Sequence, residues 1–174
     1  MTGTYFQGNS LHPQHISVGA VLVNEKGEIC CHHFYTKDLE GYYKDEGLDD
    51  FYILMRETIE PNETLEGALK RGVMEEFGAE GEFIDYVGSI ESHLLDKGMD
   101  VQKTTLYFLL KLTNQDISKR GSGDIEDKSI IEWREPDYLI PLMKKQTVRF
   151  GRTDLDESSI LERIKGKKIN GITI

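Results

Sequence analysis

Acidic side chains are concentrated in residues 57–79, where Glu75 and Glu76 stand side by side near the end of a predicted helix. Mg²⁺ prefers oxygen ligands and keeps several of its waters, so carboxylates along one helix face suit it. At about 100° per residue, position 72 lies between 75 and 76 on that face, and it holds Gly72. The stretch therefore predicts a divalent-metal site with a gap between two helical carboxylates.

The same stretch resembles the Nudix box, written G-x5-E-x7-R-E-U-x-E-E-x-G-U with U a bulky aliphatic residue. Six of its nine specified positions match at uninterrupted spacing, namely Glu63, Arg71, Val73, Glu75, Glu76 and Gly78. The resemblance implies an α/β fold, a Nudix-type α/β/α sandwich with a mixed β-sheet. It also implies a Mg²⁺- or Mn²⁺-dependent hydrolase whose small-molecule substrate is a nucleoside diphosphate linked to another moiety.

A diphosphate linkage resists hydrolysis because its charged oxygens repel a nucleophile, and a divalent cation relieves this repulsion while it activates a water. By resemblance, Glu75 and Glu76 are catalytic and hold the metal together with a backbone carbonyl near Glu57. Glu63 and Arg71 match family positions that pair and join a loop to the helix. We therefore assign those two residues a structural role.

Three positions depart from the Nudix pattern. Glu57 replaces the first glycine, whose carbonyl contributes to the family's metal site, although a carbonyl is still present. Ala79 replaces the last aliphatic residue, which is a change in packing. Gly72 replaces a glutamate that the family uses as a metal ligand and in some members as the base. Two hypotheses follow: a hydrolase with weakened activity, or a non-catalytic Nudix-fold module that binds a nucleotide or a protein.

One hypothesis restores the missing carboxylate, because the Glu57 side chain can lean into the space vacated at Gly72. The alternative is that Glu57 faces solvent. Without such a contact, Gly72→Glu should add a ligand and favour the helix by up to about 1 kcal/mol, since glycine is a poor interior helix former. With the contact, only the double change Glu57→Gly with Gly72→Glu should show the full gain.

Loop residues outside the box supply further candidates. By the same resemblance, a loop after the box often supplies a further acidic ligand or base, and among Asp124, Glu126 and Asp127 we select Glu126 as this catalytic residue. The alternative is that these residues are simply solvated, as acidic loop residues usually are. Tyr42 and Tyr43 are candidates for binding the substrate by stacking on its base. Ordinary loop packing is the simpler interpretation of both tyrosines.

Other kinds of metal site find little support in the sequence. His32 and His33 are adjacent on a predicted strand, so their side chains face opposite ways and are poorly placed to hold one metal together. A Ca²⁺-binding protein is disfavoured because no D-x-[DN]-x-[DN]-G loop occurs. The carboxylates of the box therefore stay the leading candidates for metal binding.

The 174-residue chain is long enough for one compact domain, predicted over residues 11–174, after a polar segment 1–10 interpreted as disordered or as an engineered remnant. A net charge of −10 disfavours an extended nucleic-acid partner, which usually meets a dominant basic face. Without a membrane-spanning stretch or a signal-peptide pattern, we predict a cytoplasmic protein with no membrane partner. Oligomeric state is open, with a homodimer as one option.

The elements that must position these residues follow from the periodicity of the sequence. Strands are predicted at 16–23, 28–34, 51–55, 82–92, 101–112 and 129–134. The first and second strands should pair as a hairpin, and so should the fourth and fifth. Helices are predicted at 63–77, with Gly78 as its stop, and at 136–145 and 155–164. This order fits a mixed sheet covered by helices.

Overall fold

The computed structural model describes residues 7–8, 13–35, 47, 50–96, 99–121 and 125–174. Its strands and helices are, in chain order, β1 Gln7–Gly8, β2 Pro13–Val23, β3 Ile29–Phe34, β4 Phe51–Ile53, β5 Met55–Thr58, α1 Leu65–Phe77, β6 Ala79–Asp96, β7 Met99–Gln115, β8 Ile130–Arg134, α2 Pro136–Phe150, α3 Ser158–Ile164, β9 Lys168–Ile169 and β10 Ile172–Thr173. Short 3₁₀ segments lie at Ile117–Lys119, Ile125–Lys128 and Thr153–Leu155. Of the predicted N-terminal segment 1–10, only residues 7–8 are described, and they pair with β2.

Within the described ranges, eight strands form one mixed sheet with the central order β4-β3-β2-β7-β6. Strand β5 also pairs with β2, and β8 pairs with β3. Strand β2 is the centre of this arrangement, because it runs parallel to β7 over ten residue pairs and antiparallel to β5 over four. Helix α1 is the next element after β5, so it begins close to the centre of the sheet.

Alternation of side chains along β2 divides the core into two layers. Val18, Ala20 and Leu22 face α1. Val21 and Val23 face α2 and α3 on the other side. The predicted α/β/α sandwich with a mixed sheet is confirmed. In the described part of the chain, no helix is both long enough and apolar enough to cross a membrane.

Helix α1 is bounded by two local signals. Thr64 Oγ1 accepts a hydrogen bond from Gly67 N at 3.0 Å, which caps the first turn. Gly78 ends the helix at φ 58°, and its N–H donates to Met74 O at 2.9 Å. A Cβ at Gly78 would collide with Asp116 O, so this position favours glycine doubly. The predicted stop is confirmed, and the helix starts two residues later than predicted.

The predicted strand 51–55 is divided between β4 and β5 at Leu54. Its backbone N–H leaves the ladder and donates instead to the buried carboxylate of Glu157 at 2.6 Å. The same carboxylate explains a second difference, because Glu157 turns inward where the predicted helix 155–164 should continue. That helix is therefore shortened to α3, after a 3₁₀ turn.

The predicted hairpin between the first two strands is confirmed only beside its turn, where Val23 pairs with Ile29. Further along, β5 occupies the edge of β2, and β3 pairs with β4 and β8 instead. The second predicted hairpin is confirmed in full, and β6 and β7 are longer than predicted. Helix α2 also extends beyond residue 145, because its stop is Gly151 at φ 68°.

Candidate metal centre and active site

A pocket of about 380 Å³ opens where β5, the C-terminal half of α1 and the segments around Gly121 and Glu126 meet. It is lined by Arg56, Glu57, Thr58, Glu75, Glu76, Gly121, Glu126 and Asp127. The pocket thus brings together the four acidic residues that the sequence singles out, although they come from three separate elements. The predicted substrate contacts Tyr42 and Tyr43 lie outside the described residues.

Arg71 links α1 to the chain that precedes it. Its Nε and Nη2 donate to the Glu63 carboxylate at 3.0 and 2.8 Å, and Nη2 also donates to Thr58 O at 2.9 Å. Its Nη1 lies 3.1 Å from a Glu57 oxygen and 3.3 Å from a Glu75 oxygen. Hydrogen bonding to Arg71 holds the pKa of Glu63 below its ordinary value. The structural role of Glu63 and Arg71 stays a prediction that a variant can test.

Arg71→Ala is expected to lower the free energy of unfolding by about 1–3 kcal/mol, because it removes the charged donor of partly buried carboxylates. Chemical denaturation at neutral pH measures this. Lys70→Ala is the matched control, since its pair with Glu66 is exposed and of a type worth about 0.5 kcal/mol or less. Equal losses in the two variants would reduce the Arg71 cluster to an ordinary surface pair.

The Glu57 side chain lies over Gly72. A Cβ built on Gly72 would be 2.6 Å from Glu57 Cβ and 2.9 Å from Met55 Sδ, which is closer than real contacts allow. Position 72 therefore has no room for a side chain while Glu57 is present. This contact supports the hypothesis that Glu57 fills the vacated space. The condition under which Gly72→Glu alone should stabilise the helix is therefore not met, and the overlap opposes the gain in helix propensity.

The Glu57 carboxylate is held at the pocket wall by two donors. Its Oε1 accepts a hydrogen bond from Thr58 N at 2.7 Å and lies 3.1 Å from Arg71 Nη1. Burial raises the pKa of Glu57, although the charge of Arg71 opposes this shift. A carboxylate from strand β5 therefore stands beside the helical position where Gly72 offers none.

Glu76 is the most buried carboxylate of the pocket, with 9% of its surface exposed. Its Oε2 lies 2.7 Å from His32 Nε2, and His32 Nδ1 lies 2.7 Å from Ser129 Oγ. Burial, with the charges of Glu126 and Glu57, raises the pKa of Glu76 well above its ordinary value. Burial also lowers the pKa of His32, so its imidazole is neutral at pH 7. His32, which hydrogen-bonds to Glu76, therefore does not neutralise the negative charge of an ionised Glu76.

His32, Ser129 and Arg120 connect Glu76 to the loop that carries Glu126. Ser129 Oγ and Arg120 Nη2 each donate to Glu126 O at 2.7 Å. This connection is not predictable from the sequence, because His32 is 44 residues from Glu76 and 97 residues from Ser129. The one available signal was the presence of polar residues in the otherwise apolar strand β3.

His32 and His33 face opposite sides of β3, as strand alternation predicts. His33 contacts Asp50 Oδ1 at 2.9 Å and Glu132 Oε1 at 3.2 Å, whereas His32 reaches Glu76. The two histidines are therefore too far apart in orientation to hold one metal together. His32 alone contacts a pocket carboxylate and orients it.

Glu75 is the exposed carboxylate of the helix, with 49% of its side chain accessible. Its backbone carbonyl accepts a hydrogen bond from Gly121 N at 2.7 Å. This bond ties the chain before Glu126 to α1, in addition to the connection through His32. Helix, strand and loop are therefore fixed against one another around the pocket.

The side chains of the pocket suit a hard divalent cation, since the ionisable residues that line the pocket, other than Arg56, are all carboxylates. In the ranges that the structure covers, no three His, Cys, Asp or Glu side chains are close enough to hold an ion together. Mg²⁺ keeps several waters and binds through them to carboxylates at longer spacing. The buried Glu76, with its raised pKa, marks where a cation would be stabilised most.

The chain and its fold are similar to known proteins. The model of the NUDIX domain family matches residues 13–152, which include the whole pocket. The fold is similar to a NUDIX hydrolase from Nitrosomonas europaea, with TM-score 0.60, 16% identity, and 86% of this chain and 87% of that chain covered. It is also similar to a MutT protein from Methanosarcina mazei Go1, with TM-score 0.51, 18% identity, and 84% and 99% covered. No curated protein matches the sequence.

Proposed function

The chain belongs to the NUDIX domain family, and on this premise we propose that it is a Mg²⁺- or Mn²⁺-dependent hydrolase of a nucleoside diphosphate linked to another moiety. The observation that supports the proposal most is the pocket that Glu57, Glu75, Glu76 and Glu126 line together. The loss of a carboxylate at Gly72 is offset by the carboxylate of Glu57. We expect this activity to be weaker than that of a protein with the complete motif, because the helix itself supplies one carboxylate fewer.

Glu57, Glu75 and Glu76 are the residues that would hold the ion. When bound, a divalent cation neutralises phosphate oxygens and lowers the pKa of a water. Glu126 is proposed as the base that takes a proton from the attacking water. The water oxygen bonds to phosphorus, the bridging P–O bond breaks, and the leaving group departs with the electron pair and takes up a proton from solvent. His32 orients Glu76, and Arg71 orients Glu57.

His32→Phe is expected to weaken Mn²⁺ binding about 10- to 100-fold, because hydrogen-bond partners orient metal ligands. His32→Gln retains an N–H donor and should lose less affinity. Titration followed by electron paramagnetic resonance measures the free Mn²⁺, and melting temperatures show that the variants fold. His93→Phe is the control, since His93 is exposed on β6. Equal affinities in the His32→Phe and His93→Phe proteins would remove the positioning role.

The hydrolase proposal is tested with a panel of sugar-linked, dinucleoside and capped nucleotides, each containing a diphosphate linkage. Release of nucleotide or phosphate is measured with Mg²⁺ and with Mn²⁺. We expect metal-dependent turnover of at least one compound, and its loss in the folded Glu76→Gln protein. Tyr42 and Tyr43 stay predicted contacts for the base, so their variants should change KM more than kcat. A folded protein that turns over no compound is not such a hydrolase.

The second candidate function is a non-catalytic module that binds the same compounds. It is favoured by Gly72, which removes a helical carboxylate and leaves a pocket without three side chains at ligand spacing among the described residues. Calorimetry with the same panel distinguishes the two functions. Saturable binding without turnover, in both metals, would support the module and contradict the hydrolase.

A further inference from the structure

A polar patch covers part of the sheet face opposite α1. The ladders between β2, β5 and β7 place its members on one face, because residues that pair across a ladder point the same way. These members are His15, Ser17, Arg56, Thr58, Lys103 and Thr105. Two hydrogen bonds hold the patch together, one between the Ser17 and Thr105 hydroxyls at 2.8 Å and one between His15 Nε2 and Thr58 Oγ1 at 2.9 Å. Polar side chains on a sheet face beside a pocket suit a ligand surface.

The carboxylates next to this patch already have partners. Arg152 donates to both oxygens of Asp154, at 3.0 and 2.7 Å. The buried Glu157 accepts a hydrogen bond from the Tyr107 hydroxyl. Arg56 donates to Asp154 O at 2.9 Å, and its Nε lies 3.8 Å from a Glu157 oxygen. These two anions are therefore engaged by groups other than Lys103.

Lys103 is half-buried, and in the part of the chain that the structure describes its ammonium forms no hydrogen bond and no ion pair. Burial lowers the pKa of Lys103 to about 8, and the charge of Arg56 acts in the same direction. Asp154, Glu157 and Glu76 oppose the shift through their charges. The ammonium keeps its proton at pH 7 but is poorly solvated, so it gains much from an anion that enters the site.

The polar patch borders the carboxylate pocket, because Arg56 belongs to both. Lys103 is also near enough to Glu76 to be influenced by its charge. A diphosphate entering a pocket of five carboxylates, in a chain of net charge −10, meets repulsion wherever a metal ion does not neutralise it. The positive charges of Arg56 and Lys103 at this border can bind a phosphate group that the carboxylates repel.

We propose that Arg56 and Lys103 form an anion subsite that binds a phosphate group of the substrate beside the carboxylate pocket, an inference that rests on the proposed function. The Arg56 guanidinium offers planar N–H donors, and the Lys103 ammonium offers a point charge, which together recognise phosphate oxygens. The subsite binds one phosphate group of the substrate, while another phosphate group lies at the carboxylates. Substrates with two or more phosphates therefore fit better than monophosphates.

The subsite is tested with inorganic phosphate in EDTA, so that neither metal nor turnover is involved and no second phosphate group has to enter the carboxylate pocket. Calorimetry should detect binding to the wild-type protein at millimolar concentrations. Lys103→Met should weaken it about tenfold or more, because a hydrogen-bonded charge is lost while the stem is kept. Lys103→Arg should retain most of the affinity. Lys111→Met is the matched control, since Lys111 lies on the same strand and pairs with Val23, far along the ladder.

A second measurement uses the wild-type protein and so does not depend on how the variants fold. Inorganic phosphate should protect Lys103, and not Lys111, from limited acetylation monitored by mass spectrometry. Absence of phosphate binding, equal binding by Lys103→Met and Lys111→Met, or equal acetylation with and without phosphate would each overturn the subsite. Failure of the nucleotide panel overturns the hydrolase instead, because this test requires no hydrolysis.

Discussion

Gly72→Glu is expected to destabilise the protein by about 1–3 kcal/mol, the usual cost of forcing a side chain into a packed space. The new Cβ would lie 2.6 Å from Glu57 Cβ and 2.9 Å from Met55 Sδ. The new carboxylate would also meet the negative charge of Glu57. A substitution that improves helix propensity and completes the family pattern should therefore make this protein less stable.

The double variant Glu57→Gly with Gly72→Glu is expected to recover most of that loss. Removing Glu57 clears the space over the helix, and the new glutamate then supplies the carboxylate. Glu57→Gly alone should destabilise as well, because it leaves the space empty, takes a carboxylate from Arg71 and adds a flexible glycine to β5. The two changes should be coupled by about 1 kcal/mol or more.

Chemical denaturation of the wild-type protein, the two single variants and the double variant measures this coupling. Mn²⁺ titration of the same four proteins should place the double variant at or above wild type and both single variants below it. Glu66→Gly combined with Gly72→Glu is the control, since Glu66 is exposed and pairs with Lys70. Additive losses in the Glu57 cycle would contradict the exchange of a carboxylate between strand and helix.

The sequence predicts α1 within two residues because the signals that bound it are local. Apolar residues recur at helical spacing, Thr64 caps the first turn, and Gly78 adopts a left-handed conformation that glycine favours. The carboxylates that the helix contributes to the pocket follow from the same spacing. Glu126, which is selected by the family resemblance from an acidic loop, also lines the pocket.

The rest depends on contacts between distant parts of the chain. Leu54 interrupts a predicted strand because Glu157, 103 residues later, accepts its N–H bond. His32 reaches Glu76 only because β3 passes beneath α1, and no periodicity within β3 identifies that neighbour. The neighbours of Arg56 are equally hard to predict from the sequence, since they come from the C-terminal segment and β7. Composition and spacing could predict the carboxylates of the site and Arg71, but not His32, which orients Glu76.

Glu76→Gln is expected to remove about 100-fold or more of any hydrolytic activity, because a charged metal ligand is replaced by a neutral one. In metal-free buffer the same variant should melt at a higher temperature than wild type at neutral pH. Burial and the charges of Glu126 and Glu57 disfavour the ionised Glu76 side chain, and glutamine keeps its shape without the charge. Functional sites often carry such a stability cost.

The pH dependence of the metal-free protein isolates this effect. The folded-state pKa of Glu76 is raised above 4.5, its value in an unfolded chain, so the folded state binds more protons in that window. Stability from protonated Glu76 is therefore complete below the unfolded-state pKa and is lost as pH rises through the folded-state pKa. The melting-temperature advantage of Glu76→Gln should be small in acid and should grow as pH rises toward neutrality.

Glu75→Gln provides the contrast, because Glu75 is exposed and its ionised form is solvated. It should lose activity without gaining thermal stability in EDTA. Adding Mn²⁺ should then reverse the order of wild type and Glu76→Gln, since a ligand that binds only the folded state stabilises the protein with the intact site. If Glu76→Gln melts below wild type at every pH without metal, the hydrogen-bond partners of the buried carboxylate satisfy it and it needs no cation. If it melts higher and Mn²⁺ reverses the order, the buried charge of Glu76 destabilises the metal-free protein, and binding of the ion compensates for that charge.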